Sequence, residues 1–172
     1  MTTPPTPPTP PTPATPATPE ADDSASRFSQ RPSIHDLLGV EVVEATPVRV
    51  VLRLPVDWRV HQPYGLLHGG VSALLAESAA SFGASLAAGP GRNVVGIELN
   101  ASHLRSLTHG HLTAEATPVR VGRTVQVWHV ALTDDEGRAI CDARCSVAVL
   151  GGPGGATGAV RPGHERDAGE DA

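Results

Sequence analysis

The feature that most constrains this chain is a run of small and apolar residues between His68 and Gly89. Residues 72–88 are almost all good helix formers or small residues and include no proline. The sequence Gly89-Pro90-Gly91 then ends the pattern. We therefore predict a single helix of about 16 to 19 residues, roughly five turns long.

Neither side of this predicted helix is strongly polar. Its apolar stripe repeats at helical spacing and comprises Val71, Leu75, Phe82 and Leu86. The opposite face, around Ala73, Ala80 and Ala84, is also uncharged. A helix without a polar side is one that the rest of a protein surrounds. The segment is therefore predicted to be the core helix of the fold.

Glu77 is the only charged residue between His68 and Arg92. Burying an unpaired carboxylate costs on the order of several kcal/mol, so its place on a core helix needs a reason. One reason is structural, a hydrogen bond to a neighbour or a position at a subunit edge. The other is functional, an acid, base or nucleophile in a dry cleft. Gly69 and Gly70 favour the second, because glycines leave the first helix amides open to a carbonyl oxygen.

Strand patterns follow the helix and also precede it. Val95, Ile97, Leu99 and Ala101 alternate with polar or small residues, which predicts a strand with one apolar face. Ser33 is predicted to cap a short helix over 34–38 that ends at Gly39. Further strands are predicted at 40–46, 49–54, 111–121, 124–133 and 138–150, with a tight hairpin turn at 134–137. Antiparallel strands can bury one long helix only if the sheet curls around it, so we predict an α+β fold.

The two ends of the chain are predicted to lie outside this domain. Residues 1–32 are rich in Thr and Pro and residues 151–172 are rich in Gly, so both are predicted to be disordered tails. This leaves 33–150 for a single domain with one core. The first segment has no basic and apolar signal pattern, and the uncharged runs are short for a membrane span. With Cys141 and Cys145 expected to be core thiols, we expect a cytoplasmic protein.

Composition excludes several chemistries. The net charge of -5 gives no reason to expect nucleic-acid binding. All 13 residues counted as Lys or Arg are arginine, which excludes a lysine Schiff base and a Walker A loop. No Gly-x-Ser-x-Gly motif occurs, and the pairs His61/His68 and His109/His111 lack the spacing of a zinc site. We therefore predict no metal site.

The segment from Gln62 to Gly70, read with Ala76-Glu77-Ser78 and Ser81, resembles the active-site signature of a known family. That family is the hotdog-fold acyl-CoA thioesterases of the 4-hydroxybenzoyl-CoA and phenylacetate-pathway (PaaI) type. The likeness is greatest to the subgroup that acts on aromatic acyl-CoAs such as 1,4-dihydroxy-2-naphthoyl-CoA. It continues through 96–106 and 121–123 and covers about residues 34–150.

The resemblance implies a mechanism for hydrolysis of an aromatic acyl-CoA. The Gly69 backbone N–H would polarise the thioester carbonyl, and Gln62 and His68 would position the substrate or the thiolate leaving group. Glu77 would act as nucleophile or as general base, with Ser81 orienting the attacking water. Tyr64, Phe82 and Val60 are further candidates for the acyl pocket, from their position alone.

Coenzyme A carries phosphates, so its site needs cations away from the catalytic carboxylate. By resemblance His103, Arg105 and Arg123 are the predicted contacts, whereas Arg120 is expected to be an ordinary solvated residue. No further cofactor is implied. Family members place the site at a dimer interface, with the His68 side and the Glu77 side from different subunits, and a homotetramer of two dimers is implied.

Two other functions are weighed against hydrolysis. A hotdog enoyl-CoA hydratase or dehydratase also pairs a histidine with a helix carboxylate, but the spacing from Gln62 to Glu77 matches the thioesterases. A non-catalytic acyl-CoA-binding module would need an attached effector domain and would have little use for Glu77. The release of free thiol separates both from a thioesterase.

Overall fold

The computed structural model describes residues 32–151, so the two predicted tails lie, but for their innermost residues, outside the described range. Within it, the sheet and helices follow in the order α1 (Ile34–Leu38), β1 (Glu41–Thr46), β2 (Arg49–Pro55), α2 (Gly69–Ala88), β3 (Asn93–His103), β4 (His111–Val121), β5 (Val125–Thr133) and β6 (Ala139–Leu150). A short 3-10 turn, Trp58–Val60, lies between β2 and α2. All these elements fall inside the predicted domain 33–150.

One antiparallel sheet carries the fold. Its six strands lie in the order β1-β2-β4-β5-β6-β3, and every neighbouring pair is antiparallel. The helix α2 packs against all six strands. The length and apolar composition of α2 would also suit a membrane span, a property that core helices share. The predicted α+β hotdog architecture, a curled sheet around one long helix, is confirmed.

The central helix begins three residues earlier than the composition suggested. His68 is its N-cap, and the side-chain Nδ1 accepts a hydrogen bond from the N–H of Gly70 at 2.9 Å. This cap offsets the poor helix propensity of Gly69 and Gly70. At the other end the Gly89 N–H donates to the carbonyls of Leu86 and Ser85, with Gly89 at a φ of 80°.

The short helix α1 begins and ends where its sequence predicts. The carboxylate of Asp36 accepts hydrogen bonds from the N–H and the hydroxyl of Ser33, at 2.7 and 2.8 Å. Gly39 ends the helix in the left-handed conformation, with a φ of 72°. His35 then links the two helices, because its Nε2 lies 2.7 Å from the Ser78 hydroxyl. That contact fixes α1 beside the residue that follows Glu77.

Trp128, which is fully buried on β5, packs directly against α2. Its ring lies against Gly83, where an added Cβ would come within 2.5 Å of Cη2 and Cζ3. The indole Nε1 donates to Oε1 of Gln126, and Nε2 of Gln126 donates to the carbonyl of Ala84. A buried polar chain therefore connects β5 to the helix, with its donors satisfied.

The predicted single apolar face of β3 is wrong in its first half. The register against β6 shifts between Gly96 and Glu98, so Ile97 is the extra residue of a β-bulge. As a result Val95 and Ile97 are 44 % and 56 % exposed, whereas Leu99 turns inward and packs against the core. The apolar residues keep alternating with the others in the sequence through the bulge. Those before the bulge and those after it nevertheless face opposite sides of the sheet.

The prediction that α2 is surrounded on all sides is also wrong for the single chain. The sheet covers one side of the helix, where Leu75, Ala76, Ala79 and Ala80 are fully buried. On the other side of the helix Gly70 and Glu77 are exposed, and Ala73, Leu74 and Ser81 are half-buried. The sheet therefore leaves one stripe of its central helix open.

Candidate active site

A cavity of about 410 Å³ lies at the N-terminal end of α2. It brings together four of the residues predicted from the sequence, namely Gln62, Gly69, His103 and Arg105. The rest of its wall is largely apolar and comprises Leu66, Leu67, Ser72, Leu104, Ser106 and Ile140. The loop before α2, the first turn of α2 and the end of β3 build this cavity.

The loop that carries Gln62 starts from a fixed turn. The Oδ1 of Asp57 accepts a hydrogen bond from the N–H of Arg59 at 2.9 Å and thereby caps the 3-10 turn. The Arg59 guanidinium binds the same carboxylate, at 2.7 Å from Oδ2. Hydrogen bonds from the side chain and then the backbone of Arg59 lower the pKa of Asp57 to about 2. Asp57 therefore stays ionised, and the turn stays capped, throughout the neutral range.

A second, tighter turn holds Gln62 at the cavity. Its N–H donates to the carbonyl of Leu66 at 2.8 Å, and its own carbonyl accepts from the N–H of Gly65 at 2.9 Å. Gly65 has a φ of 77°, a conformation that glycine adopts without steric cost. Tyr64 lies at the tip of this turn and is 86 % exposed.

Gly69 supplies a free donor at the bottom of the cavity. Its backbone N–H donates to no acceptor within residues 32–151. The first amides of a helix commonly lack a partner within the helix. A Cβ at Gly69 would lie 2.8 Å from Nε2 and 3.1 Å from Cε1 of His103. The imidazole of His103 therefore occupies the space next to Gly69. The cavity is therefore lined by three residues that can each donate a hydrogen bond, Gly69 by its amide and Gln62 and His103 by their side chains, as an oxyanion-type site requires.

His68 lies at the same helix end but does not line the cavity, and its side chain is exposed. Its Nδ1 is the acceptor for the Gly70 N–H. In a neutral imidazole one nitrogen accepts and the other carries the proton, so Nε2 is the donor. The cap therefore fixes the tautomer that presents an N–H.

Glu77 is exposed, so the predicted burial of its carboxylate is wrong for the single chain. The carboxylate lies against Gly96 of β3 rather than in the cavity. Glu77 and Gly69 are eight residues apart, which is about 12 Å along the helix. Reacting atoms must approach to about 3.5 Å. Glu77 and Gly69 of one chain therefore lie at separate places along the helix, and Glu77 does not line the cavity. Ser81 follows one turn beyond Glu77 and is half-buried.

The two cysteines are free and buried, as predicted for core thiols. Burial, followed by the negative charges of Glu77 and Glu98, raises the pKa of Cys145 to about 11. Burial and then Asp142 raise the pKa of Cys141. Thiols with raised pKa values stay protonated at neutral pH and are poor nucleophiles. The two thiols are therefore not candidate nucleophiles.

Arg123 lies at the other end of α2. It lines a cavity of about 260 Å³ with Ala87, Ala88 and Arg92, and its carbonyl accepts a hydrogen bond from Nη2 of Arg92 at 2.8 Å. The length of α2, about 30 Å, separates it from Gly69 and the first cavity. The three residues predicted to bind coenzyme A are therefore not brought together in one chain, since only His103 and Arg105 share a cavity.

Sequence reasoning missed Ser72, which is 2 % exposed and lines the first cavity. It follows Gly69 by three residues and so lies on the same helix face, a spacing that would have identified it. Val60 and Phe82, suggested for the acyl pocket, are buried in the hydrophobic core. Among residues 32–151, no group of three or more His, Cys, Asp or Glu side chains could hold a metal ion.

Comparison with known proteins agrees with the fold and the signature. The sequence-family model of the Thioesterase superfamily matches residues 64–141. The 1,4-dihydroxy-2-naphthoyl-CoA hydrolase of Listeria monocytogenes is 42 % identical over 116 residues, which are 67 % of this chain and 94 % of that protein. A crystal structure of a thioesterase from Haemophilus influenzae has a TM-score of 0.68 and 38 % identity, covering 73 % of this chain and 86 % of that one.

A third similar protein was solved with a ligand. It is a hypothetical thioesterase from Streptococcus pneumoniae, whose structure contains coenzyme A. Its TM-score is 0.60 and its identity 27 %, over 65 % of this chain and 86 % of that one.

Proposed function

This chain belongs to the thioesterase superfamily, and we propose that its substrates are aromatic acyl-CoA thioesters and that Glu77 carries the reaction. The reaction is hydrolysis of an acyl-CoA to a free acid and coenzyme A. The observation that carries the site assignment is the free Gly69 N–H in a cavity that also holds Gln62. The preference for an aromatic acyl group is supported by the likeness to the Listeria hydrolase and by the apolar walls that Leu66, Leu104 and Ile140 supply.

In the proposed mechanism the thioester carbonyl oxygen accepts hydrogen bonds from the Gly69 N–H and from Gln62. These donors stabilise the negative charge that develops when the carbonyl carbon becomes tetrahedral. The C–S bond then breaks, and coenzyme A leaves as a thiolate that takes up a proton. His68, with Nε2 as its donor, stabilises that thiolate.

Two roles remain for Glu77. As general base it takes a proton from water, which adds to the carbonyl carbon, with Ser81 orienting the water. As nucleophile it forms an anhydride with the acyl group, which water then hydrolyses. Both routes consume one water and release one acid and one thiol.

We propose that two copies of the chain build each site. The separation of Glu77 from Gly69, about 12 Å along one helix, supports this arrangement, because a partner's Glu77 need not obey that spacing. The open stripe of α2 and the exposed apolar Val95 and Ile97 on the edge strand β3 are the surface we assign to the dimer. Two such dimers would form the homotetramer that the family resemblance implies.

Coenzyme A would lie along His103 and Arg105, which line the same cavity as Gly69. The charge of Arg105 and the hydrogen-bond donors of both residues suit its phosphates and its ribose. Arg123 would reach the phosphates from another copy of the chain. We propose that the enzyme works in the cytoplasm, where its two free thiols stay reduced.

The test is turnover of the Glu77→Ala variant. We expect the rate on 4-hydroxybenzoyl-CoA, followed by release of free thiol, to fall between about 10²- and 10⁴-fold, because the variant lacks the group that attacks or activates water. Glu98→Ala is the matched control, since Glu98 is an exposed carboxylate on β3 that accepts from the Ser146 hydroxyl. It should keep the wild-type rate.

Three outcomes would contradict the proposal. Wild-type turnover in Glu77→Ala would remove Glu77 from the mechanism. Hydration or dehydration of an acyl chain without thiol release would favour the hydratase alternative. Binding of acyl-CoA without any reaction would favour a non-catalytic module. A panel of aromatic and aliphatic acyl-CoAs tests the proposed preference, which faster turnover of the aliphatic members would overturn.

A further inference from the structure

Gly96 lies on the side of β3 that faces the central helix. It pairs directly with Val147 on β6, and Val147 is fully buried. Directly paired residues of antiparallel strands point to the same face of the sheet. A side chain at position 96 would therefore point toward α2.

The space that such a side chain would fill is taken by Glu77. A Cβ at Gly96 would lie 3.0 Å from Cδ and 3.3 Å from Cγ of Glu77, and it would overlap Oε1. The three nearest atoms all belong to Glu77. The glycine is thus a recess in the sheet that holds one particular carboxylate.

Backbone conformation gives no separate reason for a glycine here. Several glycines of the described chain, such as Gly65 and Gly137, have positive φ, but Gly96 does not. Other residues could adopt its backbone without strain. The bulge at Ile97 begins directly after it and changes which residues of β3 face the helix. The contact with Glu77 is what distinguishes this position.

We propose that Gly96 is a positioning residue for Glu77: its missing side chain sets where the carboxylate lies. This proposal rests on the proposed role of Glu77. The overlapping atom is the free end of an exposed, flexible side chain, so an added methyl group moves the carboxylate and leaves the strand in place. The substitution therefore separates geometry from folding.

The first experiment is the Gly96→Ala variant. Misplacement of a reacting group by about 1 Å costs on the order of 10²-fold in rate, so we expect kcat to fall between about 10- and 100-fold. KM should stay within about twofold, because cavity residues such as Gln62 and Gly69 are untouched. The thermal midpoint should change little. Wild-type kcat, or an effect confined to KM, would overturn the proposal.

The second experiment repeats the substitution in a Glu77→Asp background, which draws the carboxylate back by one methylene. Gly96→Ala should then change the remaining kcat by less than about twofold, since the two residues act as a unit. An equal loss in both backgrounds would overturn the proposal. If the Gly96→Ala variant does not fold, the double variant Gly96→Ala/Glu77→Ala should fold. A double variant that also fails to fold would overturn the proposal.

These results are separable from those of the proposed function. Full activity of Glu77→Ala would remove the role of Glu77 itself. An inactive Glu77→Ala together with a fully active Gly96→Ala would leave the mechanism intact and reject only the positioning role.

Discussion

His68 uses its two ring nitrogens for different purposes. Nδ1 caps the central helix by accepting from Gly70, and this leaves Nε2 as the donor. One side chain therefore starts the helix and offers an N–H beside the cavity. The sequence motif predicted the second use, but the capping use is visible only in the structure.

The two uses can be separated by substitution. His68→Asn keeps a good N-cap, whereas His68→Ala removes it and should lower the free energy of unfolding by about 1 kcal/mol. Both variants lose the Nε2 donor, so both should lower kcat. Urea unfolding and steady-state turnover measure the two effects. Full turnover in His68→Asn would show that the histidine only caps the helix.

At this scale the sequence identified residues better than it identified their surroundings. Gln62, Gly69, His103 and Arg105, which the sequence singled out for two different roles, share a cavity. The prediction that Glu77 is buried was wrong for the single chain. An uncharged helix face predicts burial, but it does not specify whether the same chain or another one covers that face. The His103 ring above Gly69 and the Gly96 recess depend on contacts between distant segments, which spacing does not reveal.

Between elements, the closest approach is that of α2 to β5. Gly83 allows the Trp128 ring to lie directly against the helix backbone. The ring is anchored from both sides, by the helix and by its hydrogen bond to Gln126. This contact brings the helix backbone close to β5 at Gly83.

Gly83→Ala should therefore destabilise the fold. The added methyl group would overlap a buried aromatic ring that has no room to move, a kind of overpacking that costs about 1 to 3 kcal/mol. Ser85→Ala, at a half-buried position two residues on, is the control and should have little effect. Thermal or urea unfolding measures both. Wild-type stability in Gly83→Ala would mean that the ring can shift.

The helices and strands were predictable to within about three residues at each end, because periodicity and capping are local properties. The bulge at Ile97 was not predictable, since the sequence alternates without interruption between apolar and other residues at Val95, Ile97, Leu99 and Ala101. A bulge is decided by what the neighbouring elements require. Here the neighbour is the carboxylate of Glu77, which faces the residue just before the bulge.

In one described chain the predicted site residues lie at three separate places along α2. The polarising cavity lies at the N-terminal end of α2, Glu77 lies about two turns along it, and Arg123 lies at its far end. A pair of chains related by a twofold axis presents two copies of each part. The sequence could imply this only through its family resemblance, because an interface with a second copy leaves no periodicity of its own.

Co-expression of two inactive variants tests whether two chains share each site. Glu77→Ala and Gln62→Ala each damage one part of the site, and random pairing in equal co-expression makes half of the dimers mixed. If each site takes Glu77 from one chain and Gln62 from the other, every mixed dimer has one intact site of two. The mixture should then recover about a quarter of the wild-type rate of thiol release. A rate no higher than the mean of the two variants alone would contradict the shared site.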